Sequence, residues 1–199
     1  MILLITAMES EMKGIVLNPH PKIKIVQTGV GKVNASYVLS RELAKHSYEL
    51  ILNLGLAGAT NPFIPGDFVL IKDATYHDFD LTMFGYQKGQ VPGYPTQFQS
   101  DPLWMNKIIE KVKGLKIGSL YTGDCFMTKG FSDHMVFDME GAALYQVAHA
   151  YQVPIVSLKV ISDIVGSQEH IQNYTHFESQ QGAFKLLEIY QRFIEGVIT

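Results

Sequence analysis

Cysteine is almost absent from this sequence, since Cys125 is the only one among 199 residues. A single cysteine excludes an internal disulfide framework and favours a reducing compartment, so we expect the protein to be cytoplasmic. The 7 histidines show no Cys/His spacing of the kind that binds metals, and the glycine-rich phosphate-binding motifs are missing too. The sequence therefore predicts no metal and no cofactor.

Strong charge of one sign and long hydrophobic runs are also lacking. The formal net charge is -3 and like charges do not cluster, so binding to nucleic acid or to a membrane surface has no electrostatic support. The apolar run at the N-terminus covers only five residues without a basic flank, which is too short for a signal peptide or a membrane span. Hydrophobic residues still make up 47% of the chain, enough for the core of one compact domain, which we expect to span residues 1–199.

Apolar, β-branched runs alternate with helically spaced segments along most of the chain. We predict strands at residues 1–6, 22–27, 50–54, 68–71, 115–121, 136–139 and 155–161. We predict a short helix that ends before Pro19, and further helices at residues 33–46, 101–112, 141–151 and 178–198. This alternation is typical of an α/β protein, and we expect a three-layer α/β/α sandwich with a central mixed, largely parallel sheet.

Two acids stand where predicted strands finish. Glu140 follows the strand at 136–139, Asp163 follows the strand at 155–161, and a predicted helix connects the two. In open α/β sheets, ligands bind in the crevice outside the carboxyl ends of the strands. One such acid is as readily a helix N-cap or a turn residue. Two of them in a single strand–helix–strand unit favour a catalytic site.

Residues 74–100 show little periodicity and carry six aromatic side chains. An irregular segment of this length in a compact domain is usually functional or part of an interface. Exposed aromatic side chains would be a liability on a soluble monomer. We therefore expect a second subunit to cover this segment in a homodimer.

Seven short segments occur in an order that points to one family. They are residues 7–11 (AMESE), 29–35 (GVGKVNA), 55–58 (GLAG), 76–93 (YHDFD, FGY and GQVPG in turn), 123–126 (GDCF), 138–142 (DMEGA) and 161–163 (ISD). Together they resemble the purine nucleoside phosphorylase/uridine phosphorylase superfamily, and most of all its bacterial 5′-methylthioadenosine/S-adenosylhomocysteine nucleosidases. The resemblance extends from residue 2 to about residue 163 and implies a nucleoside phosphorylase-like fold.

The resemblance implies hydrolysis of the N-glycosidic bond of a purine nucleoside. Such a reaction produces an oxocarbenium-like ribosyl group and a purine leaving group that must be protonated, most usefully at N7. The resemblance gives the acid to Asp163, the water-activating carboxylate to Glu11 and the ribose-binding carboxylate to Glu140. Outside this context, each of the three would more readily be a surface, cap or first-turn acid.

A largely apolar pocket for the nucleoside is implied in the same way. Met8 and Met139 would flank the sugar and a 5′ thioether, while Phe126 would border the purine. Phe84 and Pro92 would reach the site of the neighbouring subunit. Packing within the subunit is the alternative for Met8, Met139 and Phe84. The other substrate-binding positions implied are Ala7, Val30, Leu56, Ala57, Gly58, Met127, Asp138, Lys159 and Ser162.

The scarcity of arginine bears on the choice between water and phosphate as the acceptor. The phosphorylases of the superfamily build their phosphate site largely with arginines, which grip oxyanions through two hydrogen bonds. Arg41 and Arg192 are the only arginines, and neither lies in the segments above. Lys32 could contact an anion, but the nucleosidases carry a lysine there too. Hydrolysis is therefore predicted.

Some features depart from the nucleosidase pattern. Leu56 stands where serine is usual, Asp138 where glutamate is usual and Lys159 where arginine is usual. The chain is also short after Leu17 and across residues 128–135, a loop that shapes the purine end of the site in this family. The nucleoside thus stays open. The alternatives are a futalosine or aminodeoxyfutalosine hydrolase, a purine nucleoside phosphorylase on the same fold, and a nucleoside-binding protein without turnover.

Overall fold

A computed structural model describes residues 1–130 and 132–198. Phe131, in the shortened loop, and Thr199 lie outside the described residues. The strands are β1 (Ile2–Thr6), β2 (Ile23–Gln27), β3 (Leu50–Ala59), β4 (Phe68–Tyr76), β5 (Phe98–Gln99), β6 (Leu115–Thr122), β7 (Met135–Asp138) and β8 (Ile155–Ile164). The α-helices are α1 (Glu9–Val16), α2 (Lys32–Leu43), α3 (Pro102–Lys111), α4 (Gly141–Tyr151), α5 (His170–Phe177) and α6 (Ala183–Phe193).

All of these strands belong to one mixed sheet. Parallel pairs join β1 to β2 and β3, β3 to β8, β4 to β6, and β6 to β7. Antiparallel pairs join β3 to β7, and β4 to β5 and β8. Strands β3, β8, β4, β6 and β7 therefore pair in a closed circuit, which leaves no free edge within it. Strands β1 and β2 extend the sheet outward from β3.

Helices cover both faces of this sheet. On one face α2 packs against α4, and on the other α1 packs against α6. Successive residues of β1 enter opposite cores, because side chains alternate across a strand. Leu3 and Ile5 join the core under α2 and α4, whereas Ile2 and Leu4 join the core under α1, α3 and α6. The predicted three-layer α/β/α sandwich is confirmed.

Two central strands continue beyond the apolar runs that predicted them. β3 runs on to Ala59 and β8 to Ile164, because the two strands remain paired through the polar and glycine residues at their ends. The register shifts between Ala57 and Gly58, and Gly58 then pairs with Asp163. Asp163 thus lies inside a strand, although the sequence placed it just after one.

The segments with weak periodicity contain more structure than expected. Within residues 74–100, β4 extends to Tyr76, a 3-10 turn covers Thr82–Phe84, and Phe98 and Gln99 form β5. The C-terminal helical region begins at His170, earlier than the predicted residue 178, and continues through π-helical turns at Glu178–Gly182 and Ile194–Ile198. None of the helices formed by residues 1–130 and 132–198 is long and apolar enough to cross a membrane.

Candidate active site

A cleft with an empty volume of about 630 Å³ opens beside the ends of β1, β3, β7 and β8. This volume includes open solvent at the mouth of the cleft. The cleft brings together segments that are far apart in the sequence. The predicted positions that line it are Ala7, Met8, Glu11, Val30, Leu56, Ala57, Gly58, Phe126, Met127, Asp138, Met139, Glu140, Ser162 and Asp163.

Glu11 is buried in the first turn of α1, where its carboxylate accepts three backbone hydrogen bonds. Oε2 accepts from the N–H groups of Ala7 and Met8, both at 2.9 Å, and Oε1 accepts from that of Leu56 at 2.8 Å. Burial raises the pKa of Glu11, although these hydrogen bonds act to lower it. Gly55 permits the close approach, since a Cβ there would lie 2.8 Å from Oε1. The carboxylate is therefore held in one orientation.

Glu140 precedes α4 and reaches across the cleft to the start of α2. Its Oε1 accepts from the N–H of Gly31 at 2.8 Å. Gly31 has φ of 94°, a conformation that side chains with a Cβ rarely adopt, so glycine is required to aim this N–H. Burial, and after it the negative charge of Asp138, raises the pKa of Glu140 to about 7. Near neutral pH, Glu140 therefore exists both as an acid and as a carboxylate.

Asp138 ends β7 and pairs with Lys159 of β8. Lys159 Nζ lies 2.9 Å from Oδ2 of Asp138, and both side chains are buried. The Thr122 hydroxyl donates to Oδ1 at 2.6 Å, and the N–H of Gly141 donates to both oxygens. Burial acts to lower the pKa of Lys159, but the charges of Asp138 and Glu140 outweigh it and raise that pKa overall. Lys159 is thus a charged lysine, and it lies behind the cleft rather than in its lining.

Asp163 is nearly fully buried near the end of β8, and each of its oxygens has a partner. The Ser162 hydroxyl lies 2.5 Å from Oδ1 and 3.1 Å from the carbonyl oxygen of Ala57. Nε2 of His170 lies 2.5 Å from Oδ2. This carboxyl group is therefore fixed from two sides, by its own strand and by the first residue of α5.

Apolar and aromatic side chains form the rest of the wall. Phe126 lies edge-on to the ring of Tyr174, with centroids 5.4 Å apart, and the Tyr174 hydroxyl is 4.0 Å from the sulfur of Met8. Burial raises the pKa of Tyr174 to about 12, so this phenol is neutral. The lining of the cleft thus combines carboxylates with side chains that can pack against apolar and aromatic groups.

Two predicted positions lie elsewhere in the subunit. Phe84 is 76% exposed in the Thr82–Phe84 turn, and Pro92 is exposed in the irregular segment that follows. Neither lines the cleft of its own chain. Their assignment to a neighbouring subunit stays a prediction.

The sequence did not point to five side chains in or behind the cleft. Cys125 and Phe137 line it and adjoin predicted positions, and Val165 and Tyr174 line it as well. His170 contacts Asp163 without lining the cleft. The signal that could have found the last two is helical spacing, since residues 170, 174 and 177 fall on one face of a helix. Within residues 1–130 and 132–198, no group of three or more His, Cys, Asp or Glu side chains is placed to hold a metal ion.

Comparison with known proteins identifies the family. A model of the Phosphorylase superfamily matches residues 19–195. The 5′-methylthioadenosine/S-adenosylhomocysteine nucleosidase of Bacillus subtilis (strain 168) is 32% identical over 165 residues, which are 75% of this chain and 71% of the relative.

Solved structures agree on the fold. The 5′-methylthioadenosine/S-adenosylhomocysteine nucleosidase of Streptococcus pneumoniae, in complex with 8-aminoadenine, is 25% identical and superposes with a TM-score of 0.89, covering 98% of this chain and 99% of that one. The futalosine hydrolase of Helicobacter pylori strain 26695 is 18% identical with a TM-score of 0.87, covering 98% and 97%, and shares the fold. Because the family model covers most of the chain and the Bacillus relative matches along most of its own length, the protein belongs to the phosphorylase superfamily and, within it, to the 5′-methylthioadenosine/S-adenosylhomocysteine nucleosidases.

Proposed function

We propose that the protein hydrolyses the N-glycosidic bond of 5′-methylthioadenosine, and of S-adenosylhomocysteine, to adenine and the corresponding 5-thioribose product. The observation that carries this proposal is the set of three buried carboxyl groups in one cleft: Glu11, Glu140 and Asp163. They come from three different elements and have three different sets of hydrogen bonds. The name of the Bacillus relative supports the same activity.

Asp163 is the proposed general acid. When the bond between N9 and C1′ breaks, its electron pair goes to the purine, and Asp163 gives a proton to N7. A carboxyl group held at the cleft by its own strand is placed to transfer a proton to the bound base. The Ser162 hydroxyl, 2.5 Å from Oδ1, helps to keep the group from rotating away.

Glu11 is the proposed base for the attacking water. A carboxylate has about four lone-pair positions for hydrogen bonds. The N–H groups of Ala7, Met8 and Leu56 occupy three of them, which leaves about one for a water molecule. The water attacks C1′ and its proton passes to Glu11. Because the carboxylate is held rigidly, the water is positioned as well as activated.

Glu140 is the proposed ligand of the ribose hydroxyls. Its carboxylate accepts one hydrogen bond from the protein, from Gly31, so lone pairs remain for a vicinal diol. Met8 and Met139 flank the sugar and the 5′ substituent, and thioether and apolar groups pack well against methionine. Phe126 borders the purine, across the cleft from the backbone of residues 56–58.

Water rather than phosphate is the proposed acceptor, because the cations are engaged elsewhere. Arg41 contacts Tyr37 on α2, and Arg192 of α6 contacts Glu188 and Phe68. Lys159 is paired with Asp138. Lys32 lies 2.6 Å from a carboxylate oxygen of Asp78. A phosphate dianion bound by any of these four cations would have to displace that cation's partner.

We further propose a homodimer in which Phe84 and Pro92 of one subunit reach the cleft of the other. Support comes from exposed apolar side chains at Met83, Phe84 and Val33. A groove lined by Val33, Phe79 and Val91 separates α2 from the irregular segment, and a second subunit could fill it. The cytoplasm is the proposed compartment, in keeping with the single free Cys125.

Release of base from a panel of nucleosides tests the activity. The panel contains 5′-methylthioadenosine, S-adenosylhomocysteine, 5′-deoxyadenosine, aminodeoxyfutalosine and inosine, each assayed without phosphate. We expect the highest kcat/KM with 5′-methylthioadenosine. Turnover of aminodeoxyfutalosine alone would instead support the second candidate, a futalosine-type hydrolase, which the fold shared with the Helicobacter enzyme favours. Binding of nucleosides without any turnover would contradict both.

A further inference from the structure

His170 is a buried side chain beside the cleft to which the proposed reaction gives no role. Its Nε2 lies 2.5 Å from Oδ2 of Asp163. Its ring lies 4.9 Å from the ring of Phe126, centroid to centroid, with the planes tilted by 33°. His170 does not line the cleft, whereas Asp163 and Phe126 both do. It can therefore affect the site only through Asp163, the proposed acid, and Phe126, which we call the platform for the base.

We propose that His170 is a positioning residue for the general acid. It donates a hydrogen bond from Nε2 to Oδ2 of Asp163, and this keeps the transferable proton of Asp163 on Oδ1. It also supports Phe126 from α5, so that the base meets the platform and the acid together. This inference rests on the proposed function, in which Asp163 protonates the leaving purine.

The surroundings of Nδ1 determine which ring nitrogen carries the hydrogen. Nδ1 of His170 is buried and has no hydrogen-bond partner among residues 1–130 and 132–198. A hydrogen on Nδ1 would therefore be a buried donor without an acceptor, which folded proteins rarely tolerate. An unprotonated Nδ1 leaves only an unused lone pair, the smaller penalty. The hydrogen of the neutral ring thus belongs on Nε2, facing Asp163.

A hydrogen on Nε2 in turn determines which oxygen of Asp163 is protonated. A proton on Oδ2 would face Nε2–H, so that two donors met. A proton on Oδ1 instead finds the hydroxyl oxygen of Ser162 at 2.5 Å, and that hydroxyl donates to the carbonyl of Ala57 at 3.1 Å. Every hydrogen then has an acceptor.

The hydrogen bonds around Asp163 can also be satisfied after it has given up its proton. The Oδ1–H bond of Asp163 breaks, the N7–H bond of the base forms, and the electron pair stays on Oδ1. The Ser162 hydroxyl can then turn from Ala57 to Oδ1, while His170 continues to donate to Oδ2. The resulting carboxylate has two hydrogen bonds that stabilise its charge.

The platform for the base is held by the same helix. His170 and Tyr174 are four residues apart on α5, so they lie on one face of the helix. Both contact the ring of Phe126, at centroid distances of 4.9 Å and 5.4 Å. A helix that touches the acid and the platform at once couples their positions.

Two substitutions at His170 separate positioning from simple packing. His170→Phe keeps a ring against Phe126 but removes the donor, and His170→Gln restores an N–H near the place of Nε2. We expect His170→Phe to lower kcat for 5′-methylthioadenosine at least tenfold with KM within about threefold, and His170→Gln to recover most of kcat. Phe177→Leu is the matched control, because it reduces a buried side chain of α5 that does not line the cleft.

Several results would overturn the proposal. One is a kcat for His170→Phe within about threefold of the wild-type value. If the wild-type enzyme is active, that result would reject the positioning role of His170 but not the proposed function. Another is a fall in KM, which would mean that His170 competes with the base. The ¹⁵N spectrum of the His170 ring tests the tautomer even if no nucleoside is turned over. We expect a protonated-type Nε2 and an unprotonated-type Nδ1, and the reverse assignment would contradict the proposal.

Discussion

Lys159 and Asp138 form an ion pair in the interior of the protein, with Nζ 2.9 Å from Oδ2 and side chains 3% and 1% exposed. Both residues depart from the nucleosidase pattern, in which arginine and glutamate are usual at these positions. The two positions that depart from the pattern are thus in direct contact in the structure. Lys159 places a positive charge behind the carboxylates of the cleft, and Asp138 places a negative charge beside Glu140.

Removing one member of this pair should destabilise the folded protein. Lys159→Met leaves Asp138 buried without its counter-ion, and we expect a loss of about 3–5 kcal/mol in the free energy of unfolding. Chemical denaturation with urea measures it. The double variant Lys159→Met/Asp138→Asn removes both charges and should be more stable than the single variant. A loss below about 1 kcal/mol in the single variant would mean that the pair contributes little.

Asp163→Asn tests the general acid. The amide has nearly the same shape but no proton of suitable acidity, so turnover of 5′-methylthioadenosine should be abolished. Binding of the nucleoside, measured by calorimetry, should stay within about tenfold, since a lost acid costs mainly in the transition state. Asp80→Asn is the control, because Asp80 is exposed and is not part of the cleft lining. Retention of most of the activity by Asp163→Asn would remove Asp163 from its role.

Glu140 should make stability depend on pH. Its pKa is about 7 in the folded protein, against an ordinary value of 4.5. Because the folded state binds the proton more tightly, this contribution to stability is complete below about pH 4.5 and is lost as the pH rises to about 7. The expected loss is about 3 kcal/mol across that window.

The Glu140→Gln variant is the control for this pH dependence. Its amide does not titrate, so the stability difference between wild type and variant should change in favour of the variant from pH 4.5 to pH 7. Thermal unfolding at several pH values gives the comparison. A constant difference across the window would show that Glu140 is not perturbed.

The proposed dimer can be tested at Phe84. This side chain is 76% exposed in the subunit, so an interface is the expected reason for its exposure. We expect light scattering to give twice the mass of the chain for the wild type. Phe84→Asp should weaken the dimer and lower kcat/KM, whereas Leu17→Asp, also at an exposed apolar position, should do neither. A monomeric and fully active wild type would leave Phe84 and Pro92 without a role in the site.

The layers of the fold were predictable because local pattern and burial agree. Alternate residues of β1 enter two different cores, and the alanine-rich α4 packs on one of them. The extension of β3 and β8 was not predictable from local pattern. It depends on pairing between residues about 100 positions apart, such as Gly58 with Asp163.

In the cleft, too, some residues could be predicted from local sequence and others depend on long-range contacts. Glu140 and Asp163 could be singled out because each follows a predicted strand, whereas Glu11 was singled out only through the resemblance to the nucleosidases. Helical spacing places His170 on one helix face with Tyr174, but the contact of His170 with Asp163 depends on tertiary packing and is not visible in the sequence. The three backbone hydrogen bonds to Glu11 are equally invisible in the sequence, since one of them comes from Leu56 on another strand.

The identity of the sugar product shows whether the enzyme transfers the thioribosyl group to water or to phosphate. Wild-type enzyme is incubated with 5′-methylthioadenosine in the presence and absence of inorganic phosphate. The products are then separated and identified by mass spectrometry. If the enzyme is a hydrolase, we expect adenine and free 5-methylthioribose in both buffers, at rates that phosphate does not raise. Formation of 5-methylthioribose 1-phosphate, with no base released when phosphate is left out, would contradict it.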